Sequence, residues 1–447
     1  MSTEPEPSPA APLVRALGTR ALALNIVNCL VGSGIFVLPG SVAALLGASA
    51  VVAYVLCAAA MGLIALCLAE AGSRVHAPGG VYAYIEAAFG PAAGFVGGAL
   101  FWLSLVGASA ALTTVVAGVV VGAIPGLAGP VAKGIAMALL LGGLAAANVR
   151  GVRSGARLME AVTSLKLLPL VLLVLVGLFA IRAPNLAWSG LPAAGDLGRA
   201  ALLLIFAFMG IETALGSSGE VRDPARTVPR AILLGLAAVA VLYAGIQVVS
   251  QGVMGPALAT SGDTPLVATA ARAMGPWGAR LLLAATSLAA FGYLSGDMLA
   301  SPRLLYAFSR GGLLPRALGA VHPRFRTPHV AIAVYAATCL MLAVSGTFET
   351  LVLISVVATL LVYLGCCLAV LELRRRGVGE ASAPFRAPGG PVVPLLASGV
   401  VFWLMAQATA REFAAVGITT AAALAIYLLR RRHVAEVRAD VAASGTT

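Results

Sequence analysis

The first long apolar run of this chain, residues 21–46, is long enough to cross a membrane and is interrupted at its middle. A transmembrane helix needs about 20 apolar residues, and this run carries Gly32, Ser33 and Gly34, with Pro39 after them. In hydrocarbon every backbone N–H and C=O must find a partner inside the protein, so a helix can break only where the freed groups face a cavity or a ligand. The interruption is therefore a candidate binding site.

A second apolar run, residues 205–220, has the same character because it contains Gly210, Glu212 and Gly216. Broken helices that occur once in each of two repeated halves are the best sequence pointer to the substrate site of a secondary transporter. The alternative is that these glycines only allow neighbouring membrane helices to pack closely. The matching positions of the two breaks favour a binding site.

The composition excludes a soluble globular protein. Of the 447 residues, 60% are hydrophobic and 10% are charged, and the mean hydropathy is +1.00, whereas soluble domains are about 25% charged. The net charge of +12 does not indicate nucleic acid, since the basic residues are spread through short loops between apolar runs. The chain is predicted to be an all-α polytopic membrane protein in a lipid bilayer.

The apolar runs predict about twelve transmembrane helices. Their approximate ranges are 21–46, 48–71, 91–121, 129–147, 157–181, 199–219, 229–252, 277–305, 329–346, 349–373, 391–408 and 412–430. Most of the 29 Lys and Arg residues fall in loops on one side of this arrangement, which is the cytoplasmic side by the positive-inside rule. We therefore expect a cytoplasmic-membrane protein with both termini, residues 1–20 and 431–447, as cytoplasmic tails.

The order of the predicted spans divides them into a core and an addition. Residues 21–373 form a ten-helix transport core, in which repeats of five spans, about 21–181 and 199–373, have opposite orientations because an odd number of spans reverses direction. The broken helices 1 and 6 each open one repeat. Helices 11 and 12, in residues 391–430, stand outside this five-plus-five inverted repeat.

The residues that enzymes and metal sites use are not grouped in the sequence. The six cysteines all fall in apolar runs without metal-type spacing, and we expect reduced thiols. The four histidines form no cluster and no Ser-His-Asp arrangement, and no phosphate-binding Gly-x-x-x-x-Gly-Lys-Ser/Thr motif occurs. We expect neither an enzyme nor a bound metal or cofactor. These cysteines and histidines are Cys29, Cys57, Cys67, Cys339, Cys366, Cys367, His76, His322, His329 and His433.

Four motifs in order carry a resemblance to a known family. They are Gly-Ser-Gly-Ile-Phe at 32–36, the Pro-Gly-Gly loop and its continuation at 78–90, the charged segment at 220–230 and the Ser-Pro-Arg segment at 301–315. Together they resemble the amino acid permeases of the amino acid-polyamine-organocation superfamily over nearly the whole chain. The resemblance implies the leucine-transporter type of fold, with the substrate between helices 1, 3, 6, 8 and 10.

An amino acid needs partners for a carboxylate and an ammonium, and a broken helix supplies both. The N-terminal end of a half-helix offers N–H groups and a positive dipole, while a C-terminal end offers carbonyls. We expect the carboxylate at the first break and the ammonium at the carbonyls of the second. The substrate-binding residues are then Gly32, Ser33, Gly34 and Ile35 at the first break and Phe206, Ala207, Met209 and Gly210 at the second.

Two further residues are candidates for gating and coupling. The resemblance implies that Phe206 closes over the bound substrate, although it could be an ordinary packing residue. Lys166 lies deep in a predicted span, where a charge costs about 3 kcal/mol or more, and in sodium-independent relatives such a lysine stands where sodium would bind. The alternatives for Lys166 are a proton carrier and a lysine that snorkels to the interface.

Glu212 and Asp297 are the acids deepest in the predicted spans. Glu212 resembles a glutamate of proton-responsive exchangers, so its protonation could be coupled to opening; it could also be a protonated acid bonded to nearby backbone. Asp297 could favour a cationic substrate, or it could pair with Lys166 or with a hydroxyl on another helix.

These residues and the resemblance together imply a sodium-independent amino acid permease that works by alternating access, with proton symport favoured. An exchanger for cationic amino acids or polyamines is the alternative within transport, and a membrane sensor that binds an amino acid without moving it is an alternative from another class. The substrate, the choice between symport and exchange, the residue that carries the coupled proton and the oligomeric state are not set by the sequence.

Overall fold

The computed structural model of the chain describes residues 18–75, 80–123, 129–150, 166–188, 190–212, 224–262, 264–380 and 384–443, and side chains in these ranges except those of residues 123, 224, 225 and 431–443. Within these ranges the regular structure is entirely helical. Several predicted features lie outside the described residues. They are the tail residues 1–17, the span residues 157–165, Pro78 and Gly79 of the second motif, and residues 213–223, which include Gly216.

The helices of the first part of the chain run up to the predicted fifth span. They are α1 (Thr19–Leu30), α2 (Leu38–Leu46), α3 (Val51–Arg74), α4 (Val81–Phe89), α5 (Pro91–Ala123), α6 (Pro130–Arg150) and α7 (Leu167–Gly177). The described part of the predicted loop at 78–90 is helical, because the apolar face of α4 packs on α5 and on a later helix.

The second part of the chain continues in the same way. Its helices are α8 (Ala194–Phe208), α9 (Pro224–Met254), α10 (Pro265–Ala300), α11 (Pro302–Arg310), α12 (His329–Ser345), α13 (Phe348–Arg375), α14 (Val392–Met405) and α15 (Ala410–Ala443). Gly275, with φ +73°, kinks α10 ahead of Pro276. The backbone of α15 remains helical beyond the predicted end of the last span at residue 430.

Seven described segments are long and apolar enough to cross a membrane: Leu38–Arg74, Pro91–Gly122, Pro130–Arg150, Arg226–Leu258, Pro265–Arg310, Phe348–Arg375 and Ala410–Arg430. Three shorter apolar helices accompany them, at Leu167–Ala180, His329–Ser345 and Val392–Met405. These segments fit a polytopic membrane protein. The count of twelve spans and the inverted repeat stay predictions.

Two groups of packed helices contact each other through α9 and α10 and through α7. In one group α1 and α3 lie on α9, and α3 and α2 lie on α8; in the other, α5 contacts α6, α10 and α12. Small residues permit the close approach that membrane helices use: a Cβ on Gly235 of α9 would lie 2.7 Å from the Ile26 side chain of α1, and one on Gly107 of α5 would lie 3.2 Å from the Leu351 carbonyl of α13. Helix α13 contacts both groups, through α5 and through α3 and α8.

Candidate substrate site

The first predicted break is present in the structure. Helix α1 ends at Leu30, Val31 leaves the helical region with ψ 73°, and α2 begins only at Leu38. Between them a single 3₁₀ turn, Gly34–Phe36, follows the buried Ser33. The first N–H groups of a helical segment have no acceptor within it, so the turn directs its leading amides away from the helix ladder.

The second break is present in its described part. Helix α8 ends at Phe208, Met209 is extended with φ −69° and ψ 154°, and Gly210 has φ +112°. That φ lies in the left-handed region that glycine adopts without strain. A Cβ on Gly210 would also lie only 2.7 Å from the Cys29 carbonyl oxygen, so the second break touches the end of α1 and admits no side chain there.

A second contact between the two breaks is made by Phe206 of α8, whose ring packs on Gly34. A Cβ on Gly34 would lie 2.8 Å from Cδ1 of Phe206, so the aromatic ring lies directly on the 3₁₀ turn. The ring is almost fully buried and meets Phe348 edge-on, with centroids 6.4 Å apart. The structure therefore brings together the predicted residues of both breaks. The closing role of Phe206 stays a prediction.

Lys166 reaches the end of α1 from the start of α7. Its Nζ donates to the Asn28 carbonyl oxygen at 2.9 Å, and its side chain is buried. The last four carbonyls of a helix lack intrahelical donors, and the C-terminal end carries a negative partial charge. The ammonium thus lies where it satisfies a freed carbonyl and opposes that partial charge.

Tyr243 is a residue of the site that the sequence interpretation missed. Its hydroxyl, on α9, lies 2.8 Å from the Leu30 carbonyl and 3.0 Å from the Ala207 carbonyl. One hydroxyl has one proton, so Tyr243 donates to one break at a time and leaves the other carbonyl able to accept from a ligand. Within an apolar span, a tyrosine resembles a packing residue, and only its place on a helix that crosses both breaks distinguishes it.

Glu212 is held at the second break by two different donors. Its carboxylate oxygens lie 3.1 and 3.2 Å from the Gly210 backbone nitrogen, and the Tyr363 hydroxyl of α13 donates to Oε2 at 2.6 Å. The carboxylate therefore closes a turn within the break and ties it to α13. Tyr363 is a second contributor that sequence reasoning did not identify.

Asp297 of α10 lies in a separate cluster of hydroxyls. Ser109 of α5, Tyr335 of α12 and Ser301, just after α10, all donate to its carboxylate. Of the two pairings considered from the sequence, the structure shows the interhelical hydroxyl, since Lys166 donates to Asn28 instead. A role of Asp297 in substrate selection stays a prediction.

A third carboxylate, Glu70, lies at the far end of α3. It is fully buried and pairs with Arg74 at 3.0 Å and with Arg374 of α13 at 2.5 Å. It also accepts the Ala387 backbone N–H at 2.8 Å, while Arg74 donates to the Val378 carbonyl at 3.0 Å. This cluster anchors the segment between α13 and α14 to α3 and is distant in sequence from both breaks.

The described residues contain no group of three His, Cys, Asp or Glu side chains that could hold a metal ion. The six cysteines are free thiols. The polar groups at the breaks are backbone amides and carbonyls, an ammonium, a carboxylate and a phenolic hydroxyl. Such a set can bind a small zwitterion through hydrogen bonds and opposed charges.

The apolar helices, broken where two of them touch, define a multi-pass membrane protein with an internal polar site. The chain belongs to the amino acid permease family, which it matches over residues 17–429, and with it to the amino acid-polyamine-organocation superfamily.

Three relatives show the range of this similarity. The chain is 29% identical to the methylthioribose transporter of Bacillus subtilis over 94% of each chain. It is 27% identical to the serine/threonine exchanger SteT of the same organism, over 90% of this chain and 92% of that one. It is 29% identical to the branched-chain amino acid permease BcaP of Lactococcus lactis, over 87% of this chain and 89% of that one.

Proposed function

We propose that this protein is a secondary active transporter that moves amino acids across the cytoplasmic membrane by alternating access. The observation that carries the proposal is the contact of two broken helices, Gly210 against Cys29 and Phe206 against Gly34. In a transporter of the predicted twelve-helix, inverted-repeat fold, such a pair forms the substrate site near the bilayer midplane. The positive-inside bias supports cytoplasmic termini.

The groups at the two breaks fit the two ends of an amino acid. The amides of Ser33, Gly34 and Ile35, at the start of the 3₁₀ turn, would receive the carboxylate. The Ala207 carbonyl, which shares the Tyr243 proton with Leu30, and the extended Met209 would receive the ammonium. Phe206 would then cover the bound molecule.

Sodium independence is supported by the position of Lys166. When protonated, its ammonium places a positive charge on a freed carbonyl at the end of α1, and this is the electrostatic task of a bound cation. A second positive ion beside it would be repelled in the low dielectric of the membrane. The resemblance to sodium-independent permeases points the same way.

Proton coupling through Glu212 is supported by what that carboxylate touches. It accepts from Gly210 within the break and from Tyr363 on α13, so a change in its protonation changes both contacts. Exchange is the alternative, and relatives include an exchanger and permeases. Lys166 is the second candidate carrier of the proton.

Uptake by the purified protein in proteoliposomes tests the proposal. We expect accumulation of labelled neutral amino acids in empty vesicles when the outside is acidic, and none when only a sodium gradient is applied. The panel includes serine, threonine, leucine, arginine, putrescine and methylthioribose. Uptake restricted to preloaded vesicles would assign exchange. Binding without uptake in either format would assign a sensor, and failure with every amino acid would overturn the proposal.

A further inference from the structure

Three buried polar side chains lie on one face of α9, between the helix breaks and the end of the helix at Met254. They are Gln247, Ser250 and Gln251, with exposed fractions of 1%, 0% and 6%. Their spacing of three and four residues places them on the same side of the helix. Tyr243 lies one turn before Gln247 on this side, which we call the polar face of α9.

The hydrogen bonds of this face leave one atom of each side chain unused. Gln247 Oε1 accepts from the Tyr54 hydroxyl at 3.1 Å, and Gln251 Nε2 donates to the Asn185 carbonyl at 3.3 Å. Within the part of the chain that the structure describes, Gln247 Nε2, Ser250 Oγ and Gln251 Oε1 have no hydrogen-bond partner. Buried polar groups are almost always partnered, by protein or by ordered water.

The chemistry of these three atoms selects water as the occupant. They are an amide donor, a hydroxyl that donates or accepts, and an amide acceptor. A cation would meet the N–H groups of Gln247, and an anion would meet the Gln251 oxygen. Exchange of the Gln247 amide atoms would keep its bond to Tyr54, since a hydroxyl can donate or accept, and would leave an acceptor for water instead.

The polar face reaches surroundings of different kinds at its two ends. At the end of α9, the partly exposed Asn185 donates to the Gly252 carbonyl at 2.8 Å and accepts from Gln251. At the inner end the Tyr243 hydroxyl lies on the carbonyls of both breaks. Eight residues of helix separate Tyr243 from Gln251, about 12 Å at 1.5 Å per residue, and this distance suits a short file of waters.

We propose that the polar face of α9 binds ordered waters that join the surface at Asn185 to Tyr243, and that this file conducts protons to the breaks from the side predicted to be external. Gln and Ser side chains do not ionise, so the waters relay the proton: one proton enters at the Asn185 end and another leaves at the Tyr243 end. The conduction step rests on the proton coupling proposed above, whereas the binding of water does not.

Radiolytic hydroxyl-radical footprinting of the intact protein in nanodiscs tests the water file, because bound waters generate radicals beside the residues they touch. Tyr54, Tyr243 and Tyr335 are all fully buried, and only Tyr54 and Tyr243 adjoin the polar face. We expect oxidation of these two at several times the rate of Tyr335. Equal slow rates for all three would overturn the proposal.

Ser250→Leu fills the file, and Ser250→Ala removes one of its polar groups without added bulk. Ser250→Leu is expected to lower the oxidation of Tyr54 to the Tyr335 rate. Ser250→Ala, for which elution as a folded monodisperse protein is checked, lowers it severalfold. The matched control is Thr286→Val, whose hydroxyl is satisfied by the Leu282 carbonyl at 2.7 Å. Unchanged oxidation of Tyr54 in both Ser250 variants would also overturn the proposal.

A second measurement decides proton conduction. In proteoliposomes, Ser250→Leu should lower proton-gradient-driven accumulation about tenfold, because the leucine raises the free-energy barrier to proton transfer along the waters. Exchange with preloaded substrate does not need this proton transfer and should stay within about twofold of wild type. Wild-type accumulation retained by the variant would overturn conduction. If the wild-type protein itself shows no proton-driven accumulation, the proposed coupling fails, and the footprint still decides whether the waters are bound.

Discussion

Glu212 and Asp297 are both acids within predicted spans, but they are held by partners of different kinds. Asp297 accepts hydrogen bonds from the side-chain hydroxyls of Ser109 on α5, Tyr335 on α12 and Ser301 directly after α10. Glu212 accepts one hydrogen bond from the backbone N–H of Gly210, in the same helix break, and one from the Tyr363 hydroxyl on α13. The first set depends on how helices pack, and the second depends on the conformation of the break.

From this difference we infer different roles for the two acids. A change in the break alters the donor at Gly210 and therefore the free energy of the Glu212 charge. The same change leaves the Asp297 donors in place, because they lie on α5, on α12 and directly after α10. We infer that conformational coupling acts at Glu212, while Asp297 stabilises the packing of the second helix group.

The largest expected effect is at the contact between the breaks. Gly210→Ala introduces a Cβ 2.7 Å from the Cys29 carbonyl at a φ of +112°, and we expect uptake to fall about 100-fold because a displacement of about 1 Å at a site has that effect. Initial uptake rates, normalised to protein in the membrane, measure it. Gly399→Ala in α14, where a Cβ meets nothing within 4 Å, is the control. Normal uptake by Gly210→Ala would show that the contact between the two breaks is not part of the substrate site.

The next effect is at Lys166. Lys166→Met removes the charged donor to the Asn28 carbonyl, and such hydrogen bonds contribute about 1.5–3 kcal/mol, so we expect uptake to fall about 10- to 100-fold. Uptake by Lys133→Met, which changes the lysine on α6, should stay near wild type. If Lys166→Met transports normally and gains no sodium dependence, the proposal that Lys166 takes the place of a bound sodium ion is wrong.

Glu212→Gln tests the coupled carboxylate directly. The amide resembles the protonated acid and still accepts from Tyr363, so exchange should fall by about fivefold or less, from the roughly 1 kcal/mol by which hydrogen bonds to charged groups exceed neutral ones. Stimulation of uptake by external acid should disappear. Retained stimulation would shift the coupled proton to Lys166, and the double variant Glu212→Gln with Lys166→Met would then lose the acid stimulation.

Asp297→Asn should keep the acid stimulation of uptake that Glu212→Gln is expected to lose. The amide keeps one acceptor oxygen and replaces the other oxygen by an NH2 donor, to which a hydroxyl must turn its lone pair. We therefore expect acid stimulation to persist and stability to fall by about 1–2 kcal/mol, as for a charged hydrogen bond made neutral. Uptake at two external pH values and thermal unfolding in detergent measure the two effects. If the variant instead loses arginine or polyamine transport and keeps neutral substrates, Asp297 selects the substrate.

The smallest effect is at a single donor of the Asp297 cluster. Ser109→Ala removes one of three hydroxyls, and interhelical hydrogen bonds in membranes average about 0.6 kcal/mol. We expect a slightly lower unfolding temperature and unchanged uptake. A loss of uptake comparable to that of Glu212→Gln would show that the cluster takes part in the transport cycle.

The sequence predicted the features that are anomalous in an apolar setting. Glycines, a lysine and acids stand out in hydrocarbon-spanning runs, so both breaks, Lys166 and Glu212 could be identified as candidates. Tyr243 and Tyr363 could not, because tyrosine is common in packed helices and its partners are carbonyls or carboxylates on distant segments. The donors of Asp297 depend on how three helices cross, which local spacing does not encode.

The Glu70 cluster has a consequence for any attempt to shorten this protein to its predicted ten-helix core. One hydrogen-bond donor to the Glu70 carboxylate is the backbone N–H of Ala387, beyond the end of α13. The Ser73 hydroxyl, near Glu70 on α3, also lies 3.3 Å from the Phe385 carbonyl. A chain cut after Arg375 would leave one oxygen of an interior anion with fewer donors. We therefore expect a shortened chain to need residues at least through Ala387 to keep this carboxylate fully hydrogen-bonded.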